Sequence, residues 1–340
     1  MSEKAPIANY QASVNPTSLN CSCQPSLRMA WDTLATSGLI FGGCCSNVFA
    51  LEAVLQHESD SGLLITFCQF VVAALAAAPA VLGRTKSVKT TKGAKERVPQ
   101  RRWMTIAFLF FAINMLNNWA FAFRISVPMH IILRSFGSVI TMLVGVWRGK
   151  RFKPTQIAGV VVLTVGVVVS AWADAEAKGK RMKLGGTSQG LLLLLVAQLL
   201  GAYMGVYVEE TYSKYQASWK ENLFYSHALS LPLFLPLASV LQGQWRRLAA
   251  THPITITGNT TRGIPAGTAW LVVNAVTQLA CITGVNVLSA QSSAVTVTVV
   301  LNMRKLASFV LSAVAFGHDI GGLLMTGALL VFGGGGLYGW

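Results

Sequence analysis

Acidic residues are scarce in this chain: twelve in 340, against 27 lysines and arginines. Charge of either sign is scarce as well, at 11%, where a soluble domain carries about 25%. That excludes an ordinary water-soluble globule. Five histidines are present (His57, His130, His227, His252 and His318), and no two stand at metal-ligand spacing. No Walker-type phosphate loop and no G-x-S-x-G elbow occurs. Enzyme chemistry of those kinds is not expected, and no metal or cofactor is implied.

Cysteines number six. Cys21 and Cys23 form a lone C-x-C with no second pair, which argues against zinc. Cys44, Cys45, Cys68 and Cys281 lie in or beside apolar segments and read as small hydrophobes, with no disulfide framework visible. The first thirty residues are polar, rich in Ser and Pro, and lack a signal-peptide core. They read as a mostly disordered tail.

What the chain has is apolar length: 53% of its residues are hydrophobic. Ten segments near the roughly 20 residues that span a bilayer can be drawn. They run over 34–55, 62–82, 103–123, 128–147, 155–173, 190–208, 223–242, 267–289, 294–316 and 320–340. The gaps 124–127 and 317–319 predict tight hairpins. Glycines inside the segments, such as Gly42-Gly43, allow close helix approach, and the run Gly333 to Gly336 predicts a bendable last helix.

The net charge of +15 sits in loops. With the N-terminus in the cytosol, cytosolic loops hold fourteen Lys and Arg and the others eight, which favours both termini cytosolic. The sequon at Asn259 then falls in a luminal loop, where it is a candidate glycosylation site. No basic stretch accompanies a nucleic-acid-binding fold, and loop 84–102 reads as contact with anionic lipid headgroups.

Near the middle of 294–316 stand Arg304 and Lys305. Each end of that helix is roughly 15 Å away, too far for easy snorkelling. A charge at that depth costs about 2.5–3.5 kcal/mol on insertion scales, so the pair points to an anion that visits it. Arg134 in the fourth segment is a third cation, placed either to snorkel or to join them. Guanidinium forks and an ammonium suit a diphosphate. The alternative is pairing with Glu52 or Glu209. Tyr203 and Tyr207 lie one turn apart, either packing or offering a stacking surface to a base. His130, His227, Tyr225, Asn118 and Asn302 complete the polar candidates inside the segments.

Pairing Arg134 with Arg304 also pairs Ser138 with Ser308, and Glu52 matches Glu209-Glu210 near the ends of the first and sixth segments. Five helices per half means opposite orientations. The reading is an all-α membrane protein of ten transmembrane helices in two inverted repeats, 31–175 and 190–340, joined by a luminal linker 176–189 and preceded by the tail 1–30.

The stretches GCCSNVFALE (43–52), ITFCQF (65–70), NNWAFAFRISVPMHIILRS (117–135), EETYSKY (209–215), FYSHALSLP (224–232) and TVTVVLNMRKLASF (296–309) carry a resemblance. The chain resembles the nucleotide-sugar transporters of the drug/metabolite transporter superfamily, in the branch of UDP-N-acetylglucosamine and UDP-xylose carriers. The resemblance implies a central cavity and strict exchange of nucleotide sugar for nucleoside monophosphate. It implies phosphate binding at Arg304-Lys305, a basic position at Arg134 and an acidic one at Glu52. Asn302-Met303 stands where relatives commonly have a threonine pattern, and Ser226 where they commonly have asparagine. Both bear on sugar preference more than on phosphate binding.

The expected function is import of UDP-N-acetylglucosamine, or UDP-xylose, into the Golgi or endoplasmic reticulum lumen against UMP. A carrier of another nucleotide or organic anion stays open, as does a polytopic enzyme. Membrane lipids are the other expected partners, and a homodimer is left open.

Overall fold

The computed structural model describes residues 24–85, 97–122, 136–177, 188–254, 263–315 and 322–339. Arg134, His130, Asn259, the hairpins at 124–127 and 317–319 and most of 176–189 lie outside them. The chain divides at Ala35 into two units. Residues up to Ala35 contribute the first part of a helix, α1 (Gln24–Gly38). That helix begins before residue 30, inside the stretch expected to be tail. The architecture below concerns Thr36–Trp340.

Nearly everything described is helical, because apolar backbone in lipid must satisfy its own hydrogen bonds. After a π turn (Leu39–Gly43) come α2 (Cys44–His57), α3 (Gly62–Thr85), α4 (Gln100–Ala122), α5 (Gly137–Trp147), α6 (Pro154–Ala177) and α7 (Ser188–Tyr215). Next are α8 (Trp219–Ala228), a 3-10 turn (Leu231–Leu237), α9 (Ala238–Ala249), α10 (Ala266–Gln291), α11 (Ala294–Ala315) and α12 (Gly322–Gly339). A two-residue hairpin, β1 (Pro253–Ile254) with β2 (Ile264–Pro265), precedes α10. Five stretches among the described residues are long and apolar enough to cross a membrane: Trp31–His57, Gly62–Gly83, Leu192–Tyr215, Trp219–Ala249 and Ala266–Gln291. The protein is an all-α membrane protein. The seventh segment is α8 and α9 joined through the 3-10 turn. Pro232 and Pro236, which remove backbone donors, lie in that turn.

Helices α6 and α12 meet backbone to backbone. A Cβ on Gly166 would come within 2.7 Å of the Val331 amide, and one on Gly334 within 2.5 Å of the Leu163 amide. Glycine removes the only atoms that would keep these helices apart. The glycine run Gly333 to Gly336 does not interrupt the last helix. The helix runs on to Gly339, with Gly334 packed on α6 and Gly335 on Met303.

The start of α2 approaches α10 as closely. A Cβ on Gly43 would meet the Cys281 amide at 2.8 Å, and Cys44 and Cys281 form a disulfide with Cα atoms 4.5 Å apart. This corrects the expectation that both cysteines are plain hydrophobes. Further along, Asn47 Nδ2 donates to the Asn274 carbonyl (2.9 Å), and Gln69 Nε2 donates to Asn274 Oδ1 (2.7 Å). Such interhelical bonds are worth on the order of 0.6 kcal/mol each in a bilayer. Helix α3 gains a cap from outside itself: Gln244 Oε1, on α9, accepts the Leu64 amide at 2.9 Å.

Candidate functional site

Helix α11 carries the cation pair and is held at several points. Its first amide, Ala294 N, donates to Glu209 Oε2 on α7 at 2.8 Å. The Tyr338 hydroxyl of α12 lies 3.3 Å from both Ser293 Oγ and Thr296 Oγ1. Val295, Val299 and Leu306 are buried with Met142 of α5, Leu163 of α6 and Val331 of α12. The apolar side of α11 is thereby committed to packing.

Arg304 and Lys305 are half-buried. Lys305 Nζ donates to Asn302 Oδ1 at 3.0 Å, one turn back on the same face. Asn302 Nδ2 donates to Ser138 Oγ on α5 at 2.9 Å. Asn302 is 2% exposed and Ser138 fully buried. The sequence reading placed Asn302 among substrate contacts. Here its side chain is buried and bonded to both Lys305 and Ser138.

Glu209 is engaged elsewhere. It pairs with Lys150, in the turn after α5, as well as accepting the Ala294 amide. Its neighbour Glu210 accepts Arg148 Nε at 2.8 Å and pairs with Arg102 of α4 at 3.6 Å. The Glu210 hydrogen bond raises the Arg148 pKa above its ordinary value, so this guanidinium stays charged at any pH the protein meets. Glu52 is exposed and makes no ion pair among the described residues.

Tyr203 and Tyr207 stack, with ring centroids 5.9 Å apart and planes 22° off parallel. The Arg102 guanidinium sits 4.3 Å from the Tyr207 centroid, a cation–π contact on one face of that ring. Tyr225 stacks on Trp103 at 5.1 Å. These aromatic groups line the junction of α4, α7 and α8.

Two of the candidates make contacts within the helix packing. His227 is 3% exposed, packs edge-on against Phe70 and Phe110, and donates Nδ1–H to the Leu223 carbonyl at 2.8 Å. Asn118 ties α4 to α3 through Thr66 Oγ1 at 3.0 Å. The sequence reading passed over Ser138 as a site residue and treated Arg148 and Lys150 only as orientation signals. The usable signal was the scarcity of acids: two adjacent glutamates ending an apolar segment require cations nearby.

The model of the UAA transporter family matches residues 32–339. A UDP-N-acetylglucosamine transporter of Schizosaccharomyces pombe is 43% identical over 307 residues, covering 88% of this chain and 92% of that protein. A UDP-xylose and UDP-N-acetylglucosamine transporter of Danio rerio is 30% identical, covering 90% and 93% respectively. A solved crystal structure superposes with a TM-score of 0.56 at 16% identity, over 86% of this chain and 98% of its own length. That likeness concerns the fold alone. With a family match over almost the whole length and relatives of this identity, the chain belongs to the UAA transporter family.

Proposed function

We propose that this protein is a nucleotide-sugar antiporter carrying UDP-N-acetylglucosamine, or UDP-xylose, into the lumen of the Golgi or endoplasmic reticulum in exchange for UMP. The observation that carries the reading is the half-buried Arg304-Lys305 pair on α11, with the lysine donating to the buried amide of Asn302. A diphosphate entering there meets two adjacent cations. Family membership and the relatives' names support the uridine nucleotide sugar.

Ten spans in two inverted halves are part of the proposal, and the pattern of helix neighbours supports them. Helices α2 and α10 pack together, as do α7 and α4, α3 and α8, α5 and α11, and α6 and α12. Let α2 to α6 stand for one half and α7 to α12 for the other, with α8 and α9 counted as one span. Exchanging the halves then turns the first two of these pairs into each other and each of the other three into itself. That is the pattern expected of two halves related by a two-fold axis, and it supports the reading.

In the mechanism, Arg304, Lys305 and Arg134 take the phosphates and Tyr203 with Tyr207 offer a stacking surface to the base. An empty cavity keeps its cations exposed and reorients slowly, so each crossing requires a nucleotide. The test is reconstitution in liposomes loaded with UMP, followed by uptake of labelled UDP-N-acetylglucosamine against UDP-xylose, UDP-galactose, GDP-mannose and CMP-sialic acid. Uptake that depends on internal UMP and yields only to uridine compounds supports the proposal. A folded sample with no uptake, or one blocked best by guanosine compounds, rejects this substrate.

A further inference from the structure

The bonded series Lys305–Asn302–Ser138 bears on how the lysine is aimed, given the reading of Lys305 as a phosphate ligand. Lys305 sits on a flexible four-carbon stem with three donors. Asn302 Oδ1 accepts one of them at 3.0 Å. The amide is held in turn, because its Nδ2 donates to Ser138 at 2.9 Å. With one end accepting from an ammonium and the other donating to a hydroxyl, the amide has a single orientation that satisfies both. Asn302 and Ser138 are shut off from solvent while Lys305 is not. The buried pair therefore holds the ammonium from its enclosed side. Asparagine also leaves the positive charge intact, where aspartate at 302 would give it a permanent counter-ion.

We propose that Asn302, backed by Ser138, is a positioning residue that presents the Lys305 ammonium to the substrate phosphates, with the support arriving from α5 across the boundary between the two halves. Ordering the lysine before the ligand arrives lowers the entropy lost on binding. Loss of one such bond, worth about 1–1.5 kcal/mol, corresponds to a KM change of about ten-fold.

The test uses the full chain in UMP-loaded liposomes, with KM and maximal rate for labelled UDP-N-acetylglucosamine and the thermal shift given by UMP. N302A is expected to raise KM about ten-fold with a much smaller change in maximal rate, and N302D to abolish exchange. S138A is expected to raise KM, while S138T, which keeps the hydroxyl, stays near wild type. The double variant N302A/S138A is expected to be no weaker than N302A alone, because both act through one link. Should N302A fail to fold, the S138A and S138T comparison decides. Wild-type KM in S138A, or additive losses in the double variant, overturns the positioning role. Wild-type exchange by K305A overturns the phosphate reading itself, so the two failures are distinct.

Discussion

Arg148 and Glu210 are joined side by side, the guanidinium donating Nε and a terminal nitrogen to the two carboxylate oxygens. Arg102 reaches the same carboxylate from α4. Glu210→Gln therefore leaves two half-buried guanidinium groups without their carboxylate. Removing one partner of such a bond costs about 1–3 kcal/mol, so a drop of several degrees in melting temperature is expected for the detergent-purified protein. The exchange R148E/E210R should recover part of it, and failure of both variants to shift the melt would show the pair to be idle.

Glycines 166 and 334 cannot accept a side chain. Gly166→Leu and Gly334→Leu drive atoms into the opposite backbone, an overpacking penalty of about 1–3 kcal/mol or more. Size-exclusion profiles should show aggregated or missing protein. Gly201 and Gly322 have nothing within 4 Å of a built Cβ, and alanine there should give a wild-type profile.

Cys44 and Cys281 should be recovered as a linked peptide pair under non-reducing digestion. Cys45 and Cys68 carry free thiols and should label only after denaturation or slowly. Replacing Cys281 by Ser is expected to lower stability by about 2–4 kcal/mol, the usual range for removal of a disulfide. Equal melting of the variant and wild type would show that the bond contributes nothing.

His227 is enclosed by Phe70 and Phe110. Phenylalanine at 227 keeps the ring packing but removes the donor to the Leu223 carbonyl, which lowers stability by about 1–3 kcal/mol without touching the cation pair. The KM for uptake should stay within about two-fold of wild type. A ten-fold rise would return His227 to the binding site.

The spans were legible because apolar length is written locally and needs no partner to be seen. Arg304 and Lys305 stood out for the same reason, as charges in a run that excludes them. What sequence could not give was pairing across distance. Cys44 and Cys281 are 237 residues apart, and nothing in their spacing distinguishes them from Cys45 and Cys68. Glu209 looked like a partner for the basic pair because acids are few, and only the fold shows Lys150 nearer at hand. Asn302 looked like a ligand contact because it adjoins the cations. Its burial against Ser138 on another helix was not legible.

The contacts differ in whether they can be undone. Between α2 and α10 the connection is covalent, and between α6 and α12 backbones touch at Gly159, Gly166 and Gly334 with apolar side chains packed around them. Around α5, α7 and α11 the fasteners are an amide, a hydroxyl and a few ion pairs, each of which water or a phosphate can replace at small penalty. Two of these seams are held by contacts that cannot be exchanged for water, and the third by polar contacts that can.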